Sequence, residues 1–476
     1  MLFNSFAFLL FLIIVFLLYW SVFSKKNTYR NLFLLIVSYV FYGWWDYRFL
    51  GLILLSTVVD YFIGRQLERT GIKKKRKLLF ILSLSVNLGT LAFFKYYNFF
   101  IESWVDAWSI LGYHIESYTL HIILPVGISF YTFQTLSYTI DIYRKQLKPT
   151  NSFIDFAAFV SFFPQLVAGP IERASHLLPQ FEKKFKFDFK LAKSGLHLII
   201  WGLLKKVVIA DSCAIYVNEI FKNYDTLNTV SLILGSVYFA FQIYGDFSGY
   251  SDMAIGIARL FGFNLKRNFN YPYFSRDIAE FWRNWHISLT TWFRDYLYIP
   301  MGGSRVSTIK KVRNTFVVFL VSGFWHGANW TFIVWGFLNA LYFLPLLLAK
   351  KNRINISTIK MLGIKQTLSV VPRILITFFL TCFAWIFFRA DSVEVAFKYI
   401  SNMVNFNFGI EFLGHERYSV ELLLLLVPFV LVEWFNKLYE EPISRNYEFI
   451  KLSLCILVIF MFGSYSNPQD FIYFQF

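Results

Sequence analysis

Charge is what this 476-residue chain has least of: 16% of its residues are Asp, Glu, Lys or Arg, against roughly 25% in soluble proteins. Acidic residues are the scarcer half, 29 against 46 Lys and Arg. With 57% hydrophobic and 21% aromatic residues, the composition excludes a disordered segment, a collagen and an ordinary soluble enzyme. Only three cysteines are present, Cys213, Cys382 and Cys455, without CxxC or metal-ligand spacing. They exclude a disulfide framework, imply no metal site, and read as small hydrophobes. Walker A, GxGxxG and HExxH are missing, so nucleotide hydrolysis and zinc proteolysis lack their marks. No internal repeat or low-complexity linker divides the chain, which leaves one membrane domain over 1–476, with 183–193 and 264–313 as polar insertions.

What is present is a series of apolar runs. Residues 1–24 contain no Asp, Glu, Lys or Arg, enough for one crossing at about 20 residues per helix. They lack the positive start of a cleavable signal peptide, so they read as a retained first span. Further runs lie near 31–45, 49–64, 78–94, 118–140, 227–245, 247–263, 314–349, 374–388, 421–432 and 449–463. The expected class is an all-α polytopic protein of the cell membrane, with roughly 10 to 12 transmembrane helices.

The net charge of +17 would suggest nucleic acid in a soluble chain. On this apolar background it suggests basic cytoplasmic loops instead, and no nucleic-acid partner. Lys25, Lys26 and Arg30 follow the first run, Arg65, Arg69 and the Lys73–Lys77 cluster follow the third, and Arg144, Lys145 and Lys148 follow the fifth. The connections between them are not basic. The alternation places the N-terminus outside and loops one, three and five in the cytoplasm. Residues 183–193 are basic again, so the apolar stretch 153–170, interrupted by Pro164 and Gly169-Pro170, lies between two cytoplasmic flanks. It is either a re-entrant hairpin, which requires protein or a water-filled hollow around its freed backbone groups, or a surface-lying amphipathic segment.

Among seven histidines, His114, His121, His176, His197 and His415 have bland surroundings. From Arg276 to Tyr296 a helical projection gathers Ile278, Phe281, Trp282, Trp285, Leu289, Trp292, Phe293 and Tyr296 within roughly 120°. That strip suits one interfacial helix, with His286 at its border, where it is an interfacial histidine or a reactive one. Residues 314–349 run for 36 positions without a formal charge. As one helix they would extend about 54 Å, beyond a hydrocarbon core of roughly 30 Å. A break is expected at Ser322–Asn329, where His326 stands between two glycines. An ionisable side chain there marks a functional site, or else a core histidine bonded to a neighbouring helix. Gly245–Asp252 places two carboxylates between apolar runs, either lining a cavity or capping a helix at Ser251 or Asp252. Gly302-Gly303 reads as a turn.

The stretches FWRNWHISLTTWFRDYLYIPMGG (281–303) and SGFWHGANW (322–330) resemble the membrane-bound O-acyltransferase family. FVSFFPQLVAGPIER (159–173), YGDFSGYSDMAIGIARLFGF (244–263), AWIFFRA (384–390) and the terminal FIYFQF extend the resemblance. The branch resembled is the bacterial polysaccharide-acetylating one, of alginate O-acetylation type. The resemblance implies helices around a funnel or tunnel, His326 as the catalytic residue and His286 as its assistant. It implies no bound cofactor, acetyl-CoA as the cytoplasmic donor, and as acceptor an extracytoplasmic polysaccharide or a secreted acetyltransferase partner, in contact with membrane lipid. Asn329, Trp325 and the backbone at Gly323 and Gly327 are candidates to hold or position the oxyanion, and Lys205, Lys206 and Arg294 to hold the donor's phosphates. The alternatives are D-alanyl transfer of teichoic-acid type, a transporter or flippase of an envelope precursor, and a scaffold anchoring a secreted enzyme.

Overall fold

The computed structural model describes residues 1–167, 169–356, 364–408, 418–443, 447–465, 469 and 471–472, without the side chains of 364–368 and 418–421. The readings of His415 and of the last four residues of FIYFQF lie outside them. All regular structure among the described residues is helical. The chain gathers into two compact units, one of 1–196 with 254–266 and one of 197–253 with 267–476.

The first unit contains α1 (Phe6–Ser21), α2 (Asn27–Asp46), α3 (Leu50–Arg69), α4 (Lys73–Leu91), α5 (Tyr97–Ile110), α6 (Ile128–Tyr143), α7 (Phe153–Ser161), α8 (Phe163–Leu166) and α9 (Ala174–Glu182). Side-chain polarity ties α3, α4 and α6 together. Buried Asp60 accepts from Ser83 Oγ, from Asn87 Nδ2 at 2.7 Å and from Thr139 Oγ1 at 2.9 Å, and Ser56 Oγ donates to Asn87 at 2.7 Å. A carboxylate with that many donors is affordable in an apolar interior, whereas an unmatched one is not.

The 153–170 stretch enters protein. Phe156, Phe159, Val160, Phe162 and Phe163 are fully buried, which excludes the surface-lying reading. The helix breaks at Phe162, one residue before the α8 turn that carries Pro164. Two glutamines repair the break: the Phe159 carbonyl accepts from Gln134 Nε2 at 2.7 Å and Gln165 Nε2 at 3.0 Å. The Phe163 N–H donates to Ser38 Oγ at 3.1 Å. Irregular backbone buried this way is what an apolar environment requires. The 118–140 run, by contrast, is not one span. The chain is without helix and exposed up to residue 121, and α6 begins only at Ile128.

The second unit contains α10 (Phe189–Leu204, shared with the first), α11 (Asp211–Lys222), α12 (Thr229–Leu260, also shared), α13 (Ile278–Asn284), α14 (Ile287–Phe293), α15 (Thr308–His326), α16 (Trp330–Leu348), α17 (Ile364–Arg389), α18 (Val393–Val404), α19 (Tyr418–Asn436) and α20 (Glu448–Phe462). The runs 227–245 and 247–263 fuse into the single 32-residue α12, so Ser251 and Asp252 cap nothing. The helix continues because its carboxylates are matched by lysines, as described below. The interfacial helix expected over 276–296 is instead α13 and α14, separated at Trp285-His286. Its apolar strip is buried in protein, with Trp282 edge-on to Phe319 and Trp335 at 5.5 and 5.6 Å.

The 314–349 run breaks inside the expected window, at Gly327–Asn329. Asn329 caps α16 by accepting from the Thr331 N–H at 3.0 Å. The two helices then fold back on each other closely enough that a Cβ on Gly323 would collide with the Phe332 carbonyl, and one on Gly336 with the Phe319 carbonyl. Gly336→Val is expected to cost about 3 kcal/mol, because backbone cannot yield as a side chain does. Thermal melting of the detergent-solubilised variant checks this, and a wild-type melting temperature contradicts it.

Five segments among the described residues are long and apolar enough to cross a membrane: Asn27–Arg69, Lys73–Ile110, Thr229–Leu260, Trp330–Leu348 and Ser369–Arg389, with Phe6–Ser21 and Leu422–Asn436 as shorter apolar helices. The segments are fewer than the runs because two pairs merge, 31–45 with 49–64 through a 3₁₀ turn at Tyr47–Phe49 and 227–245 with 247–263 in α12, and because other runs form shorter helices, as at α1 and α20. A π-helical stretch at Ala92–Tyr96 joins α4 to α5.

Candidate active site

His286 is held by a polar segment that precedes it in the chain. Its Nδ1 lies 3.1 Å from Asn268 Oδ1, which also accepts from Ser288 N at 3.2 Å and Ser288 Oγ at 2.9 Å. The Ile287 N–H donates to the Asn268 carbonyl at 2.8 Å. A backbone N–H can only donate, so the Ser288 bond fixes which amide atom of Asn268 is oxygen, and that oxygen requires the proton on His286 Nδ1. Burial pushes the imidazole down to about 3, so the ring is neutral at pH 7 and its Nε2 carries a lone pair. The residue sits in the left-handed region, φ 42°, as the cap of α14. A non-glycine residue held there is locally strained. Phe247 packs edge-on against the ring at 4.6 Å, with Phe269 at 6.3 Å.

His326 closes α15 and is 3% exposed. Trp325, Trp335 and Phe388 surround its ring with centroids at 5.0, 5.2 and 5.2 Å. Trp325 also lies 6.0 Å from His286, so one indole neighbours both histidines. Trp335 stacks on Trp385 at 5.6 Å, and Trp385 meets Trp285 at 5.2 Å. The result is an aromatic enclosure with two imidazoles in its wall. The carbonyl end of α15 favours a positive charge at its last residue, which is the form His326 takes when it accepts a proton.

The other candidates fall in different places. Asn329 has its amide engaged at both ends, by Thr331 and by the Asp391 carbonyl at 2.9 Å. The Gly327 N–H makes a long 3.4 Å bond to the Gly323 carbonyl. Lys205 and Lys206, in the π-helical stretch Lys205–Ala210, are buried. Lys205 pairs with Asp252 at 2.6 Å, and Lys206 with Asp211 at 2.8 Å and Asp246 at 2.9 Å. A phosphate at either would have to displace a carboxylate. Arg294 is exposed and pairs with Asp295. The sequence reading missed Asn268, Trp335 and the part of Phe388. Asn268 and Trp335 bear no motif of their own, Phe388 lies in the AWIFFRA stretch without a role read for it, and the part of all three exists only once α12 to α17 are assembled.

Four of the five bland histidines prove structural or solvated. His176 pairs with Glu172 at 2.7 Å, buried His197 lies 3.1 Å from Glu448, and His121 is exposed, as is His114.

Residues 90–389 match the model of the membrane-bound O-acyltransferase family. Over 463 residues the chain is 41% identical to a probable alginate O-acetylase of Pseudomonas aeruginosa, covering 94% of this chain and 84% of the relative. Over 507 residues it is 35% identical to a peptidoglycan O-acetyltransferase of Helicobacter pylori, covering 95% and 93%. A teichoic acid D-alanyltransferase of Bacillus subtilis is 30% identical over 229 residues, 45% of this chain and 57% of the relative.

Proposed function

The chain belongs to the membrane-bound O-acyltransferase family, and from that premise we propose that this membrane acyltransferase moves an acetyl group from cytoplasmic acetyl-CoA to hydroxyls of an extracytoplasmic polysaccharide, directly or through a secreted acetyltransferase. The observation that carries the reading is the pair of buried histidines in one aromatic cluster, with Trp325 in contact with both. The acceptor class follows the names of the long-covering relatives, an alginate O-acetylase and a peptidoglycan O-acetyltransferase. The D-alanyl reading has support over less than half of the chain. In the sense assigned from the basic loops, the N-terminus is extracytoplasmic and the donor arrives from the basic side.

In this mechanism His326 removes the proton from the acceptor hydroxyl as its oxygen attacks the thioester carbonyl carbon. The tetrahedral intermediate collapses with cleavage of the C–S bond, and the imidazolium returns the proton to the departing thiolate. Ester and free thiol leave, and the histidine is regenerated. His286, with its proton committed to Asn268, offers a lone pair at Nε2 and so orients the acceptor by accepting from a second hydroxyl next to the one that reacts. The long bond at Gly327 makes that N–H the backbone donor best able to turn toward the oxyanion.

The test supplies purified protein in proteoliposomes with radiolabelled acetyl-CoA on one face and polysaccharide on the other. Alkali-labile label on the polymer, alone or after addition of the secreted partner, is the expected result. Label that stays on the donor, while a D-alanyl carrier is discharged, would contradict it.

A further inference from the structure

A polar pocket of about 220 Å³ lies beside α13, lined by Asn270, Tyr271, Glu280, Arg283, Asn284, Asn355 and Lys437, with Ile356 at its exposed rim. Its charges do not balance. The Glu280 carboxylate is fully occupied by Arg276, which reaches it through its backbone N–H at 2.7 Å, Nε at 2.9 Å and a terminal nitrogen at 2.7 Å. Arg283 spends its guanidinium on neutral carbonyls, those of Asn352 and Asn355, both at 2.9 Å. Lys437 is only 7% exposed, and its ammonium lies over the face of Trp434, 3.2 Å from the centroid. Arg267 Nη1 donates to Asn270 at 3.0 Å, with its charge near Glu433. Burial and the neighbouring Arg276 push the Lys437 ammonium down to about 8. Buried Lys437 has no carboxylate bonded to it among the described residues, and half-buried Arg283, although Asp277 and Glu280 lie near it, bonds only to carbonyls, so the cavity wall carries two cations against one carboxylate that is already occupied, a setting that favours an anion from outside.

The pocket shares its scaffold with His286. Asn268 fixes His286, and two residues on, the Asn270 N–H donates to the Asn284 carbonyl at 2.9 Å. Asn284 and His286 are separated by at most roughly 7 Å of backbone. We propose that this pocket binds a phosphoryl group through Arg283 and Lys437, the shared chemistry of a nucleotide-bearing thioester donor and of an anionic lipid headgroup. The identification with the donor rests on the function proposed above. It is supported by the basic run Lys350, Lys351 and Arg353 in the segment that supplies Asn355, because such runs mark the cytoplasmic side. A fork-shaped guanidinium beside a point-charge ammonium suits phosphate oxygens.

The test uses unacylated coenzyme A as the probe, so that no chemistry is required. Binding to the full chain in nanodiscs is measured for wild type, Lys437→Gln, Arg283→Gln, Lys437→Arg and Ile356→Glu. The last places a carboxylate at the rim without disturbing buried packing, and serves if the buried variants do not fold. Lys437→Gln, Arg283→Gln and Ile356→Glu are expected to weaken binding by about tenfold or more, with Lys437→Arg near wild type. His326→Ala, which removes the proposed base, should bind coenzyme A as wild type does, so loss of catalysis and loss of this pocket are read separately. If coenzyme A binding is unchanged but retention of phosphatidylglycerol over phosphatidylcholine falls in the variants, the phosphoryl group is a lipid's and the donor assignment fails. If neither probe distinguishes the variants, the pocket binds no phosphoryl group and the proposal is overturned.

Discussion

His326→Ala is expected to lower polymer acetylation by at least about a thousandfold, the upper part of the range a positioned general base contributes. The protein should still be recovered from the membrane. The ring packs against Trp335 of α16 and Phe388 of α17, but those residues and Trp385 also support one another without it. His286→Ala should be milder, about ten- to hundredfold, because that ring positions an acceptor instead of moving the proton. The rates are measured at matched amounts of folded protein, judged by size-exclusion profile. Two equal losses would indicate that the histidines act as one unit, and tolerance of both would return the chain to the scaffold reading.

The second large effect lies away from the reaction. Lys206→Met is expected to destabilise the protein by about 3–5 kcal/mol, because removing one member of a buried ion cluster strands the others. Lys206 is the common partner of Asp211 and Asp246, and also donates to the Gln469 carbonyl at 3.0 Å. Asp246 in turn accepts from the Ile472 N–H at 2.7 Å, so the loss reaches the C-terminal segment. The deficit should depend on pH. Burial, opposed by Lys206, already pushes the Asp211 carboxyl up to about 7. A carboxyl raised in the folded state binds more protons there than in the unfolded chain, so its effect is unfavourable above that value and fades as pH falls. Without Lys206 the carboxyl rises further. The melting difference between Lys206→Met and wild type is therefore expected to be largest above pH 7 and to shrink toward pH 5. A difference that grows in acid would contradict this reading of the cluster.

The sequence disclosed these features unequally, for physical reasons. The break at Gly327–Asn329 was legible because an uninterrupted 36-residue run is too long for a bilayer. The buried 153–170 stretch was legible because its two flanks carry the same charge. The single helix over 276–296 was not interrupted in the reading because no glycine or proline marks the break. What ends α13 is a left-handed His286, paired through Asn268 with a segment 18 positions earlier in the chain, a tertiary contact that overrides local periodicity. Asp252 could be read as a cap because its partner, Lys205, lies 47 residues away in sequence. Lys205 and Lys206 looked like surface phosphate binders for the same reason. Lysine and carboxylate are each costly in an apolar interior, and only the fold shows that they share the cost. The pocket at Arg283 and Lys437 joins residues more than 150 positions apart, which no spacing rule can anticipate.

The claim on which the account turns is that His326 takes the acceptor's proton. Its most direct test is the pH dependence of kcat/KM for acetyl transfer, measured in parallel for wild type and His326→Ala in the same proteoliposomes. The account predicts that the wild-type rate rises with pH to a plateau as one group loses its proton, and that this limb is missing from the residual rate of His326→Ala. The same limb, with the same midpoint, in the His326→Ala variant would show that another group is the base.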